Sequence, residues 1–415
     1  MKTNPAYLNL LLLFALVCVF NSATPLFSQW APTSGPGPGA SVSCLAVNGT
    51  NIFAGSWGGP SGYYGGAFIT TNNGANWLAR NSGLSDTTVL DFAFVGSQLF
   101  AATLAGGVFR TSNNGLNWVA VNSGLTNLTV YSLIASGTDL FAGTHDGVYL
   151  SANNGSNWIY KGLTGNLIFA LGVIGSDIFA GTSGDGVYRS SNNGTNWIQV
   201  NTGLTNTAIQ TLAASGSDLY AGTFSGVFRT SNSGANWINT GGLAGLIINT
   251  IAASGGNIFA GSSGGGIYLT TNNGTNWSSV GIGMPNTTIN TLLVSGTYIF
   301  AGALSGMVYR RTLSEMITSV NLVSSEVSVD FSISQNYPNP FNPKTNIRFQ
   351  IADAGFVSVK VFDNSGKEVA VLVNQDLNPG SYNVDFDASQ FSSGIYFYRM
   401  TAGDYSQTRK MVLIK

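Results

Sequence analysis

One eight-residue pattern returns six times along this 415-residue chain, and its spacing leaves few folds open. The copies occupy residues 70–77, 111–118, 151–158, 190–197, 230–237 and 270–277, and each ends in tryptophan. Those residues, Trp77, Trp118, Trp158, Trp197, Trp237 and Trp277, step by 41, 40, 39, 40 and 40 positions. A steady period near 40 describes one small unit that is ringed or stacked, because no such unit buries its own apolar face. Each period holds four short β-like runs, as in residues 212–216, 218–222, 226–230 and 236–239. Four strands in such a unit are the composition of a propeller blade.

The second run of the unit occurs seven times, at residues 52–55, 99–102, 140–143, 178–181, 219–222, 258–261 and 299–302. The seventh unit stops after Arg310 without a tryptophan-bearing strand. The missing piece stands at the other end, where Gln-Trp-Ala-Pro-Thr-Ser-Gly at residues 29–35 resembles residues 117–124. The N-terminal residues are therefore expected to supply the outer strand of the last blade, leaving no open seam to invite edge pairing. The expected fold is all-β: a seven-bladed β-propeller over 29–312, a linker over 313–334, and a small immunoglobulin-like β-sandwich over 335–415.

The repeated motif reads as turn chemistry. Asn-Gly favours a tight hairpin because both positions tolerate positive φ. Five boxes carry it, and the fifth copy has Ser233-Gly234. Asn72, Asn113, Asn153, Asn192, Asn232 and Asn272, two residues before each glycine, can accept backbone N–H bonds across the turn. The tryptophan then opens the outer strand and wedges between sheets. This set resembles the Asp-box of sialidases and sortilin-type receptors, Ser/Thr-x-Asp-x-Gly-x-x-Trp, over most of residues 29–312. Here every Asp position is Asn, which removes the carboxylates that calcium requires. The resemblance implies a structural box on the face away from any site.

Composition narrows the function classes. Charged residues make up 8% of the chain and the net charge is −1, so no basic field attracts nucleic acid. One histidine and two cysteines hold no metal-ligand pattern, and no metal or cofactor is expected. Lys2 followed by the apolar run 10–20 reads as a signal peptide over residues 1–28, too short to span a bilayer. No transmembrane span is expected in the mature chain.

Residues shared by every blade are core; a site belongs where blades differ. The boxes and the turns between first and second strands should share one face. The loops between second and third strands, with those linking blades, should share the other. The first such loop carries Trp57, Tyr63 and Tyr64, and others carry His145 and Phe224. Rings beside polar groups suit a glycan or protein ligand. The alternative is a carbohydrate-active hydrolase, sialidase-like or another glycosidase, using loop carboxylates. Residues 29–312 contain no glutamate, and Arg110, Arg189, Arg229 and Arg310 share one repeated position rather than converging. Among the non-repeated acids Asp86, Asp91, Asp146 and Asp185, the pair Asp91 and Asp146 is the candidate for paired carboxylates. Binding is the reading preferred over catalysis.

Charge rises after Arg311, and Asn-Tyr-Pro-Asn-Pro-Phe-Asn-Pro at residues 336–343 opens a run of alternating strands near 345–351, 356–363, 368–373, 381–386, 394–401 and 407–414. Tyr-Pro-Asn-Pro-Phe at 337–341, Val-Ser-Val-Lys-Val-Phe-Asp at 357–363, Ser-Gly-Ile-Tyr-Phe-Tyr at 393–398 and the basic-apolar end at 409–415 resemble the type A sorting domain of the type IX (Por) secretion system. That resemblance implies passage through the periplasm and across an outer membrane, with the secretion machinery and its sortase as partners. The product would be secreted or held at the outer surface.

Overall fold

The computed structural model describes residues 30–37, 40–58, 65–281, 283–284, 288–313, 316, 320–324, 330–389 and 391–415. The expected signal peptide, and with it Tyr63 and Tyr64, lies outside the described residues. Among those described there is no α-helix, and no helix long and apolar enough to cross a membrane.

Residues 31–312 form seven four-stranded antiparallel sheets. Blade five is representative, with strands Ile209–Ser215, Asp218–Thr223, Gly226–Thr230 and Ile238–Asn239 in spatial order. The first strand of each sheet packs against the first strand of the next, and the seventh packs against the first, so these strands line the axis of a closed ring. Each inner strand steps out of register near its start, after the first residue in blades two to seven, as between Ile209↔Thr223 and Thr211↔Gly222, and after Val42 in blade one. This bulge turns the unpaired residue at the step away from its own sheet.

The second strand is buried throughout because it is covered by sheets on both sides. Phe53, Phe100, Phe141, Phe179, Phe259 and Phe300 are all fully enclosed, as is Tyr220. The glycine of that strand is a matter of space. A Cβ on Gly222 would lie 2.6 Å from Thr211 Cγ2 and 2.8 Å from Ile248 Cγ2 of the next blade. At this seam the glycine makes room for the inner strands of its own and the next blade, whereas blade two carries Ala102 at the equivalent position.

Closure of the ring uses the N-terminal segment. Ala31–Pro36 pairs antiparallel with Met307–Thr312, in the register Ala31↔Arg310, where blade five has Ile238↔Arg229. The indole N–H groups bond in one direction around the ring. Trp118 Nε1 donates to Arg80 O of the preceding blade at 2.7 Å, and Trp158, Trp197 and Trp237 donate to Val121 O, Lys161 O and Val200 O. Trp277 donates to Thr240 Oγ1 and Trp77 to Thr33 Oγ1, both at 3.1 Å. Trp30 donates to Val280 O at 2.8 Å and so completes the seventh seam.

The boxes fold as their residues dictate. Asn73, Asn114, Asn154, Asn193, Ser233 and Asn273 have φ between 53 and 57°, and the glycines that follow are also positive. Thr70 Oγ1 donates to Asn72 Oδ1 at 2.9 Å and accepts the Gly74 N–H at 2.9 Å. Asn72 Oδ1 also accepts the Asn76 N–H at 2.9 Å, and the other five boxes repeat these bonds.

The C-terminal residues form two four-stranded sheets around one core. One sheet orders Val320–Ser324, Gly380–Asp387, Lys344–Ile351 and Ser332–Ile333; the other orders Glu368–Leu377, Gly355–Phe362, Gly394–Ala402 and Tyr405–Leu413. Ile347, Phe349, Val359, Val361, Tyr398 and Met411 meet in that core. Part of the stretch expected as linker is thus structured: residues 320–324 lie on the edge of the first sheet, paired with Gly380–Asp387. The 337–341 segment is pinned to the last strand, with Phe341 N donating to Val412 O and Ile414 N to Phe341 O, both at 3.0 Å.

Candidate functional site

The antiparallel order of each blade puts the boxes and the turns between first and second strands at one end of the ring. At the other end lie the loops between second and third strands and those between blades. Short backbone bonds hold these two loop sets together, such as Leu104 N to Thr88 O and His145 N to Thr129 O, each at 3.1 Å. The residue after the buried hydroxyl that ends the second strand differs from blade to blade: Trp57, Leu104, His145, Ser183, Phe224 and Ser263 in blades one to six. In blade seven Leu304 follows Ala303. Trp57 is 56% exposed, Phe224 49% and Leu304 54%. His145 is exposed, with its ring 6.5 Å from that of Tyr131.

Trp57, His145 and Phe224 therefore stand on the same face but on blades one, three and five, not side by side. The exposed rings and Leu304 share a physical character, large apolar surface in water at the loop end of a rigid ring; Trp57 stands not in a loop, as expected, but on the extended second strand Asn51–Gly58, paired with Ser41. The repeated second-strand aromatics are buried, whereas the apolar residue after the box tryptophan, Leu78, Val119, Ile159, Ile198 or Ile238, is exposed on the outer strand of its blade.

The proposed carboxylate pair is placed otherwise than expected. Asp91 is not in a loop. It is the third residue of the inner strand Val89–Val95, facing the seam with blade three. Its Oδ2 accepts the Leu133 N–H at 2.8 Å, and Oδ1 accepts the Phe92 N–H at 2.8 Å. Thr250 does the same at the equivalent position of blade six, accepting the Leu292 N–H at 3.1 Å. Burial pushes the Asp91 carboxyl up to about 7 against the pull of those two backbone bonds. Beside it, burial raises the thiol of Cys44 well above its usual value, and the Asp91 charge adds to the effect. The misplacement has a simple source: a single acid at a position that elsewhere holds Cys44, Ser132, Ala170 and three threonines looks unique in sequence, although Thr250 makes the same bond.

Two of the other non-repeated acids, Asp146 and Asp86, also give carboxylate oxygens to backbone N–H groups. Asp146 Oδ1 accepts the Gly165 N–H at 2.6 Å. Asp86 ties two loops of one blade by accepting the N–H groups of Ala105 at 2.6 Å and Gly106 at 3.0 Å. At Asp185 it is the backbone carbonyl, not the carboxylate, that accepts from Gln199 Nε2 and Asn201 Nδ2, at 2.7 and 2.8 Å. The arginines are likewise used locally. Arg189 pairs with Asp177 and Arg229 with Asp218, each at 2.7 Å, while Arg110 donates to Asn154 O of the neighbouring box at 2.9 Å. Among the described residues no group of three or more His, Cys, Asp or Glu is arranged to hold a metal ion.

One set of positions was passed over in the sequence reading. The residue turned out by the bulge of each inner strand reads Ser43, Leu90, Tyr131, Phe169, Gln210, Asn249 and Asn290 around the ring. All are partly exposed although they sit on the innermost strands, so they face the axis near the loop end. Tyr131 and Phe169 meet edge to face at 4.9 Å between centroids. Asn249 Nδ2 donates to Ile289 O at 3.0 Å, and Asn290 Nδ2 to Ser41 Oγ at 2.9 Å and Val42 O at 3.1 Å. Gln210 Nε2 is enclosed and meets no acceptor among the described residues. Aligning the seven inner strands would have exposed this ordered divergence.

Comparison with known proteins agrees with both parts. Residues 335–415 match the secretion system C-terminal sorting domain, and residues 173–308 match the DUF6242 beta propeller domain. No curated protein matches the chain at a significant level. Among solved structures the chain is similar to YCF48 bound to D1 peptide, at 14% identity and TM-score 0.57 over 69% of this chain and 96% of that one. YCF48 from Cyanidioschyzon merolae is similar at 13% identity and TM-score 0.54, over 68% and 98% of the two chains. The extracellular domain of BT4673 from B. thetaiotaomicron aligns at 13% identity and TM-score 0.56, over 93% of this chain and 59% of that one. These likenesses show a β-propeller, and the sorting domain marks the chain for export by the type IX system.

Proposed function

We propose that this exported β-propeller is a binding module, acting at the cell surface or after release, whose loop face takes a glycan or protein ligand. The observation that carries the reading is the contrast between the two kinds of position. The second-strand aromatics common to all blades are buried, whereas Trp57, Phe224 and Leu304 at the loop end differ between blades and hold large apolar area in water. Exposed rings held by a rigid ring of sheets lose little freedom on binding, which favours recognition. A propeller of similar fold, YCF48, is solved with a peptide, a precedent for binding by this architecture. The hydrolase alternative has weaker support, because Asp91 and Asp146 both spend carboxylate oxygens on backbone N–H groups.

Retention on immobilised polysaccharides tests the reading, with the Trp57→Ala/Phe224→Ala variant alongside. Retention should fall at least tenfold in the variant while the thermal midpoint holds. Release of reducing ends from a retained polysaccharide, abolished by Asp146→Asn, would turn the reading to hydrolysis. Retention of both proteins to the same extent would remove the loop face from consideration.

A further inference from the structure

We propose that the loop-side mouth of the propeller axis is a carbohydrate site that takes a neutral, hydroxyl-rich sugar ring between an aromatic arc and an amide arc. The proposal rests on the binding reading above and deepens it by naming the ligand class and the residues. Every blade contributes one side chain from the same bulged position, so a purely structural role would leave these residues alike or randomly varied. They are instead sorted by chemistry. Leu90, Tyr131 and Phe169 come from the consecutive blades two, three and four; Gln210, Asn249 and Asn290 come from five, six and seven. Blade one closes the circle with Ser43, whose hydroxyl donates to the backbone across the next seam.

The chemistry of the two arcs selects the ligand. Tyr131 and Phe169 are perpendicular neighbours and form an apolar wall. Aromatic faces of this kind pack well against the C–H face of a pyranose. Opposite them, Asn249 and Asn290 have committed their nitrogens to the seams, which leaves their Oδ1 atoms as acceptors. Gln210 adds a third amide to this arc, its Nε2 enclosed and unmet among the described residues. An acceptor-rich arc is best answered by a ligand in which nearly every polar group can donate. Sugar hydroxyls do that, whereas a peptide brings a carbonyl for each N–H. No residue at this position carries a charge, so an anionic polymer gains no ion pair there.

Titration calorimetry of the full exported chain would use maltohexaose, cellohexaose and mannohexaose as neutral probes. Pentaglycine and polygalacturonate serve as the peptide and charged probes. At least one neutral probe should bind, and Phe169→Leu and Gln210→Leu should each weaken it at least tenfold with unchanged thermal midpoints. Leucine keeps apolar volume at 169 and removes no protein hydrogen bond at Gln210 Nε2, so one of the two variants remains informative if the other unfolds. Unchanged affinity in both variants overturns the proposal, as does tighter binding of pentaglycine or polygalacturonate. If Trp57→Ala alone weakens binding, the loop-face reading stands and the mouth assignment falls. If no neutral probe binds, the mouth assignment falls with the glycan form of that reading.

Discussion

Asp91 shows how far a single residue can be read from sequence. Its type and its isolation among non-acidic neighbours were visible, but its partner was not, because Leu133 lies one blade away. The box residues were the reverse case. Their partners sit within four positions, so Asn72 and Thr70 could be assigned their bonds from the turn alone. The raised Asp91 value has a definite consequence. A carboxyl whose folded value lies near 7, above its ordinary 3.8, disfavours the folded state once it ionises. That penalty is absent below about pH 4, grows between there and pH 7, and is complete above. Thermal midpoints at pH 5 and pH 8 should therefore differ in the direction of greater stability at pH 5 from this group. Asp91→Thr, which installs the residue found at this position in blades five to seven, should shrink that difference and raise the midpoint at pH 8. An unchanged difference would mean that the ionisation of Asp91 is not coupled to folding.

At the level of strands, the closing segment is the element on which the ring depends. Ala31–Pro36 replaces the outer strand that blade seven lacks, and Trp30 makes the indole bond that each other blade makes with its predecessor. Removing residues 29–35 should lower the thermal midpoint strongly, since blade seven then presents a bare third strand and blade six loses its cover. Trp30→Ala alone should cost about 3 kcal/mol, as for other buried tryptophans. A midpoint within a degree of the parent would refute the role of the segment. This strand was legible because the Trp-bearing pattern recurs at the other end of the chain. The edge strand Val320–Ser324 was not, because residues 313–334 have no repeat and little alternation to mark it. Its place on the edge of the first C-terminal sheet gives a further expectation. A fragment of residues 320–415 should melt higher than one of residues 335–415, which loses that strand and the carbonyls of Ile333 and Ser334. Arg409 Nε and the Tyr398 hydroxyl donate to those two groups. Equal midpoints would show that the edge strand contributes nothing.

For the molecule as a whole, repetition made the fold legible and the site obscure. Forty-residue spacing, turn residues and the missing strand were enough to lay out the ring. The mouth of the axis was hidden because its residues are ordinary one at a time: a tyrosine, a phenylalanine, three amides. Only the ring brings them together, and only the bulge turns them inward. The same closure also sets an order of events. Trp30 and Ala31–Pro36 are made before any blade exists, yet their partners, Val280 and Met307–Thr312, come some 250 residues later. During synthesis the first segment of the propeller must wait, unpaired, for the last. The protein is thus a bracelet whose clasp is cut before its links, and it can be fastened only once the whole circle has been made.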